Sequence, residues 1–135
     1  NKNKIIELKN IEDSFASAAN YLNKIGWKKN EPCYIKIELK DNIPKKYLNS
    51  SAREIKNKKK AKFFKKYILN SEKLNINDNL LSAIITPDKD IIPGSNTYTP
   101  AYLIYSNYER ILSWNRSLRF ALAVCTLKNN FKNEI

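Results

Sequence analysis

The stretch "AYLIYSNYERILSWNRSLRFALAV", residues 101–124, decides the fold because it predicts three elements in succession. "AYLIYS" has the apolar and aromatic character of a strand. Asn107 is the expected cap of a short helix, "YERILSW". The apolar run from Ser117 to about Lys128 predicts a final helix.

A polar quartet, Trp114 to Ser117, separates the two predicted helices. Ser117 most simply caps the last helix, and Arg116 is expected to hold an acid or a carbonyl group. An amide at a helix junction needs hydrogen-bonding partners, so Asn115 is hard to explain as a core residue. Core packing competes with ligand contact for the aromatic residues that crowd this region: Tyr98, Tyr102, Tyr105, Tyr108 and Trp114.

The flanking sequence predicts a mixed arrangement of helices and strands. Apolar residues recur at helical spacing from Ile11 to Ile25, and Gly26 closes that helix. "CYIKIEL" (33–39) alternates like a half-buried strand, and "LLSAIIT" (80–86) predicts another strand. Residues 50–70 are interpreted as a basic helix exposed on most sides, and residues 87–100 as a loop. The fold class is therefore α+β, with helices packed on a small antiparallel β-sheet.

Composition limits the function classes. The 135 residues are enough for one domain, and no apolar run approaches the roughly 20 residues of a membrane span. The opening "NKNKIIELKN" lacks the features of a signal peptide, and the chain begins with Asn1, as a piece of a longer protein would. A net charge of +12 suits a polyanionic partner, although the excess of Lys, Asn and Ile is also what an AT-rich genome produces.

The cysteines, the lysine run and the carboxylates each have a structural explanation beside a functional one. With two cysteines and no histidine, a zinc site and a Cys–His nucleophile are excluded; Cys33 and Cys125 are expected to be buried thiols, with a disulfide left open. In "KNKKKAKFFKK" (56–66), lysines suit phosphates and Phe63 or Phe64 suits stacked bases, but such a run is usually a solvated helix face. No carboxylate has the context of a catalytic acid, and the helix dipole explains Glu109 better.

Two blocks of the sequence resemble the lytic murein transglycosylase B family. Residues 101–124 resemble its C-terminal signature, in which a strand, an "I-L-x-W-N-R-S" junction and a "Y-A-L-A-V" helix follow one another. "EDSFASAANYLNKIGWKKNEP" (12–32) resembles its "S-x-A-N-Y-[LF]-x-x-x-G-W" block. The two blocks occur in the family's order, roughly 80 residues apart.

The resemblance implies a lysozyme-like transglycosylase that cleaves peptidoglycan between N-acetylmuramic acid and N-acetylglucosamine. One glutamate would act as acid and then as base, and the muramyl 6-hydroxyl would close a 1,6-anhydro ring. In the family that glutamate precedes the "S-x-A-N-Y" block, so it is expected upstream of this chain. The chain alone is then expected to be inactive.

The resemblance also implies the site residues and the partners. Tyr21, Trp114 and Asn115 match cleft residues of the family, and Phe120 stands where a tyrosine is common. No cofactor is expected, and no metal site, because Lys4 and the asparagines replace the glycine and carboxylates of the family's calcium loop. Peptidoglycan strands are the expected partner of a monomer in the periplasm or cell envelope, without nucleic acid or a membrane span.

The expected organisation is a helical core segment (1–30), a small α+β subdomain with the basic helix (31–100), and a C-terminal strand and helices that close the cleft (101–135). Two other functions stay open. One is a basic nucleic-acid-binding module, which the net charge favours; the other is a catalytically inactive relative that binds the cell wall.

Overall fold

The computed structural model describes residues 20, 23–24, 26–88 and 99–130, with backbone only for 129–130. Within this part, five strands form one sheet. They are β1 (Tyr34–Ile37), β2 (Leu48–Asn49), β3 (Lys59–Lys60), β4 (Leu81–Ile85) and β5 (Ala101–Tyr105). The helices are α1 (Ala61–Phe64), α2 (Ser106–Trp114) and α3 (Leu118–Asn130).

The strand β5 lies between β1 and β4 and pairs antiparallel with both. The other edge of β4 is shared: β3 pairs antiparallel with its first residues and β2 pairs parallel with its last ones. The prediction of an antiparallel sheet is therefore correct for three of the four strand pairs and wrong for β2. The sequence of a two-residue strand is too short to indicate whether the strand pairs parallel or antiparallel with its neighbour.

Side chains of β5 alternate between two apolar layers, as the period of a strand requires. Ile104 packs with buried residues of α2 and α3, including Tyr108, Ile111 and Ala121. Leu103 and Tyr105 pack on the opposite face, with Phe64 among their buried neighbours. The sheet is thus flanked by the helical cover, which is α2 and α3, and by the lysine cover, which is residues 43–47 and 59–68 and includes the edge strand β3.

The predicted basic helix over residues 50–70 is wrong. Within it lie the strand β3, the four-residue helix α1 and a 3-10 turn at Lys65–Tyr67, and Asn57 and Asn70 adopt left-handed backbone angles. Lysines four residues apart, such as Lys58 and Lys62, repel each other on a helix surface. Burying Phe64 and Ile68 on the sheet, where each is at most 1 % exposed, determines the path of this segment instead.

Two further predictions are corrected. Cys33 and Cys125 are buried as expected, but they form a disulfide, with Cα atoms 5.9 Å apart, rather than free thiols. Asn107 does not cap α2, because it lies inside that helix and is fully buried. The predicted helix from Ile11 to Ile25 lies outside the described residues except for residues 20, 23 and 24, which are helical. The predicted strands 33–39, 80–86 and 101–106 are confirmed within a few residues.

Candidate functional site

The junction between α2 and α3 holds the polar quartet. Asn115 follows the last residue of α2 in an extended conformation, and its N–H donates to the carbonyl of Ile111 at 3.0 Å. Its own carbonyl accepts a hydrogen bond from the N–H of Ser117 at 2.8 Å. The backbone of Asn115 is thus bonded on both sides, and its side chain is exposed. A tight turn of this kind fixes where the amide is presented to solvent.

The start of α3 is fixed by two hydroxyl groups. The N–H of Phe120 donates to the side-chain oxygen of Ser117 at 3.1 Å, so Ser117 caps α3 as the sequence predicts. The buried hydroxyl of Tyr108 donates to the carbonyl of Leu118 at 2.8 Å. Burial raises the pKa of Tyr108 far above its usual value, so this hydroxyl keeps its proton and remains a donor.

Two aromatic rings form the side of the junction. The rings of Trp114 and Phe120 meet edge to face with their centroids 5.5 Å apart. Trp114 is 36 % exposed, and Phe120 is half-buried. An apolar ring beside an amide is the usual composition of a sugar-binding surface, where the ring packs on C–H groups and the amide bonds to hydroxyls. Trp114, Asn115 and Phe120 are called the aromatic edge below.

The segment after Lys24 is held against α2 by Arg110, which the sequence analysis did not single out, and by Asn107, which it expected only as a cap. Arg110 donates from Nε to the carbonyl of Gly26 at 2.9 Å. Asn107 accepts from the N–H of Lys28 at 3.0 Å and donates to the carbonyls of Lys28 and Glu31 at 2.8 and 3.0 Å. These bonds bring together the ends of the two sequence blocks, which are roughly 80 residues apart. An asparagine near the start of a helix looks the same in the sequence whether it caps that helix or bonds to a distant segment. Only the fold therefore reveals that Asn107 is a bridge.

A family model for the transglycosylase SLT domain matches residues 1–129, nearly the whole chain. The chain belongs to this transglycosylase family. The lytic transglycosylase assignment made from the two sequence blocks is therefore confirmed, and so is the α+β fold class.

Solved structures agree on the fold of this transglycosylase chain. Two crystal structures of SltB3 from Pseudomonas aeruginosa, in complex with NAG-NAM-pentapeptide and with NAG-anhNAM-pentapeptide, are each similar to it with a TM-score of 0.61 and 24 % identity. The similarity covers 87 % of this chain but 29 % of the SltB3 chain. The transglycosylase chain thus spans less than a third of the length of SltB3. No curated protein matches it.

The structure separates the predicted site residue Tyr21 and the tyrosines for which core packing competes with ligand contact. Tyr21 and Tyr98 lie outside the described residues. Tyr105 and Tyr108 are at most 1 % exposed, so packing in the core explains both. Tyr102 is half-buried, meets the ring of Tyr34 edge to face at 5.3 Å, and has its pKa raised by burial and then by Tyr34 and Asp88.

Arg116 and the described glutamates have structural partners or solvent around them. Arg116 points Nη1 at the carbonyls of Ala52 and Arg53, at 3.4 and 3.5 Å, which confirms the predicted carbonyl contact. Glu109 lies in the first turn of α2 and pairs with Lys58 at 2.8 Å. Glu31 pairs with Lys28 at 3.5 Å, whereas the others are exposed: Glu38, Glu54 and Glu72. None of these described carboxylates has the apolar enclosure that makes a general acid.

The pocket found among the described residues is separate from the aromatic edge. An open pocket of about 360 Å³ lies at the edge of β1, lined by residues that include Lys36, Glu38 and Asn70, and the aromatic edge does not line it. Among the described residues, no cluster of three or more metal-ligating side chains is present. In the same part of the chain, none of the helices has the length and apolarity to cross a bilayer.

The lysine cover has a different geometry from the one that base stacking would need. Phe64 is fully buried, so of the two rings considered for base stacking only Phe63 is near the surface. Phe63 is half-buried, and the Nζ of Lys66 lies 4.3 Å from its ring centroid. A lysine therefore already occupies the ring that remains near the surface.

Proposed function

We propose that this chain is the C-terminal part of a peptidoglycan lytic transglycosylase and supplies one wall of its glycan-binding cleft. The observation that carries the proposal is the aromatic edge, where an exposed tryptophan and an exposed amide stand side by side on a rigid helix junction. Family membership supports the reaction class, and the glycopeptides bound to SltB3 are consistent with the substrate class.

In the proposed reaction, a glutamic acid protonates the oxygen that joins N-acetylmuramic acid to N-acetylglucosamine as the bond from C1 to that oxygen breaks. The resulting carboxylate then accepts the proton of the muramyl 6-hydroxyl while O6 bonds to C1. The glutamic acid is restored, no water is consumed, and the product ends in a 1,6-anhydro sugar. Such a two-stage role for one carboxyl group follows the general acid and base logic of retaining glycosidases.

The residues of this chain would bind and orient the glycan rather than transfer the proton. The ring of Trp114 would pack on the C–H face of one sugar, with Phe120 supporting it. Asn115 would bond to a hydroxyl or an N-acetyl group. Phe120 replaces the tyrosine that is common there, so its position offers stacking without a hydrogen bond. Tyr21 is proposed to line the same cleft, on the strength of the resemblance alone.

The catalytic glutamate is proposed to lie on a part of the enzyme outside these 135 residues. The described glutamates are exposed or paired with lysine, and the chain spans 29 % of the length of SltB3. The chain alone would then bind glycan without cleaving it. We also propose that the enzyme acts in the periplasm or cell envelope, where peptidoglycan is found, and that this chain is monomeric.

The test measures binding and turnover separately. The chain is incubated with purified peptidoglycan, bound protein is measured by co-sedimentation, and released products are analysed by mass spectrometry. We expect binding without anhydro-muropeptides. Asn115→Ala should lower the bound fraction severalfold with an unchanged melting temperature, whereas the control Asn75→Ala, at an exposed asparagine far along the chain, should leave the bound fraction unchanged. Release of anhydro-muropeptides would refute the placement of the glutamate, and equal binding by Asn115→Ala would refute the contact.

A further inference from the structure

The charged residues of the lysine cover are all of one sign. Its residues, 43–47 and 59–68, include seven lysines and neither an acidic residue nor an arginine. Six of the seven lysines are exposed, namely Lys45, Lys46, Lys59, Lys60, Lys62 and Lys66. Lys60 follows Lys59 in β3, so its side chain points to the opposite face of the sheet. Within the described part of the chain, the carboxylate of Asp78 pairs with the seventh, Lys65, at 2.7 Å. No carboxylate of the described residues pairs with the other six, and five of these, all but Lys60, are available on this side of the sheet to a partner from outside.

Aromatic rings under the lysines hold several of these charges in place. The Nζ of Lys66 lies 4.3 Å from the ring centroid of Phe63 and 5.2 Å from that of Tyr67. Lys59 lies 5.5 Å from Phe63, and Lys46 lies 5.1 Å from Tyr47. Each contact of this kind restrains an otherwise mobile side chain. Three of the exposed ammonium groups, those of Lys46, Lys59 and Lys66, are therefore held over aromatic rings.

The chemistry of the lysine cover argues against a partner that is recognised by stacking of its bases or by bidentate hydrogen bonds. A single-stranded nucleic acid gains affinity from bases that stack on exposed rings, and here lysines occupy the rings. Specific recognition of a phosphate group favours the planar fork of arginine, which this surface lacks. Lysines act as point charges, and a broad set of them suits a partner with a diffuse negative potential.

We propose that the lysine cover docks on the anionic headgroups of a lipid bilayer. Clusters of four to eight basic residues on one surface are typical of peripheral proteins that bind anionic lipids, with each lysine contributing near the surface. The lysine cover and the helical cover lie on opposite faces of the sheet. Docking through the lysine cover therefore leaves α2, α3 and the aromatic edge accessible. This inference does not depend on the proposed glycan chemistry.

The experiment is co-sedimentation of the chain with vesicles of phosphatidylcholine, with and without phosphatidylglycerol. We expect binding to the anionic vesicles only, and release as salt is raised. The variant Lys46→Gln/Lys59→Gln/Lys66→Gln should lower the partition coefficient about a hundredfold, from the contribution of each lysine near an anionic surface. The matched control, Lys24→Gln/Lys29→Gln/Lys36→Gln, removes the same charge from exposed residues outside the lysine cover and should change it less than about threefold.

Three results would overturn the inference. The first is no preference for anionic over neutral vesicles. The second is an equal loss of binding in both triple variants, which would show a dependence on net charge alone. The third is tighter binding to single-stranded DNA than to the vesicles at the same salt concentration, which would identify a nucleic-acid surface instead. Circular dichroism of each variant confirms that the fold is retained, and peptidoglycan binding is measured separately because its loss bears on the proposed function alone.

Discussion

The helical cover and the lysine cover bury the two faces of one sheet by different means. The helical cover uses two regular helices, and the disulfide from Cys33 to Cys125 attaches α3 to the residue before β1. The lysine cover uses one short helix, 3-10 turns and a row of inward apolar side chains, held only by non-covalent contacts. The comparison teaches that a continuous helix is not needed to cover a sheet face when a few large side chains are well placed.

One device occurs twice, once in the helical cover and once in the strand β2: a buried asparagine that bonds to three backbone groups. Asn107 joins α2 to the carbonyls of Lys28 and Glu31 and to the N–H of Lys28. Asn49 of β2 donates to the carbonyls of Lys56 and Ile84 and accepts from the N–H of Lys56. An amide side chain suits this task because it carries donors and an acceptor together. Each asparagine fixes a segment that lacks regular structure.

The largest expected effect is on the lysine cover. Phe64→Ala should lower the free energy of unfolding by about 3–5 kcal/mol, because the ring is fully buried and its loss leaves a cavity. Urea denaturation followed by circular dichroism measures the change. The control is the half-buried neighbour, Phe63→Ala, which should cost clearly less. Equal costs for the two would mean that the lysine cover is not anchored by Phe64.

Removing the disulfide tests the covalent attachment of the helical cover. Cys33→Ala/Cys125→Ala should destabilise the fold by about 2–5 kcal/mol, because the bond closes a long loop in the unfolded chain. The two cysteines are 92 residues apart. Thermal unfolding with and without a reducing agent measures the effect on the unaltered chain, and the variant serves as the control because reduction should leave it unchanged. A melting temperature that the variant shares with the oxidised chain would contradict the role.

The two asparagine bridges can be compared directly. Asn107→Ala and Asn49→Ala should each destabilise by about 1–3 kcal/mol, since buried backbone groups lose their partners. Asn107 is fully buried and Asn49 is 7 % exposed, so the loss should be larger at Asn107. Denaturant titration of both variants beside the exposed Asn115→Ala gives the ranking. The reverse order would indicate that water replaces the lost bonds at Asn107 more readily.

The smallest effect is expected at the helix junction. Ser117→Ala removes the cap of α3 and should cost about 1 kcal/mol. It should also loosen the contact between Trp114 and Phe120, which shifts the fluorescence of the exposed tryptophan. Ser117→Asn, another good cap, should restore both properties. Restoration of stability without recovery of the fluorescence would separate the cap from the position of the ring.

Local sequence patterns were sufficient to predict the regular elements of the fold. The periodicity of residues 101–130 predicted β5, α2 and α3, and the cap at Ser117 follows from residue type alone. The aromatic edge was predicted as a site because Trp114 and Asn115 interrupt an apolar pattern and match a family block. The role of Trp114, Asn115 and Phe120 in glycan binding remains a prediction, and so does that of Tyr21, which lies outside the described residues.

The sequence by itself determined the α+β class, the three long strands, the helix pair at the C-terminus and the family. Tertiary structure alone decided the path of the lysine cover, the direction of β2, the pairing of Cys33 with Cys125 and the role of Asn107 as a bridge rather than a cap. The physical reason is the distance along the chain. Periodicity and capping act between residues a few positions apart, whereas burial of Phe64 on the sheet and the bonds of Asn107 join residues that are remote in sequence and meet only when the whole fold forms.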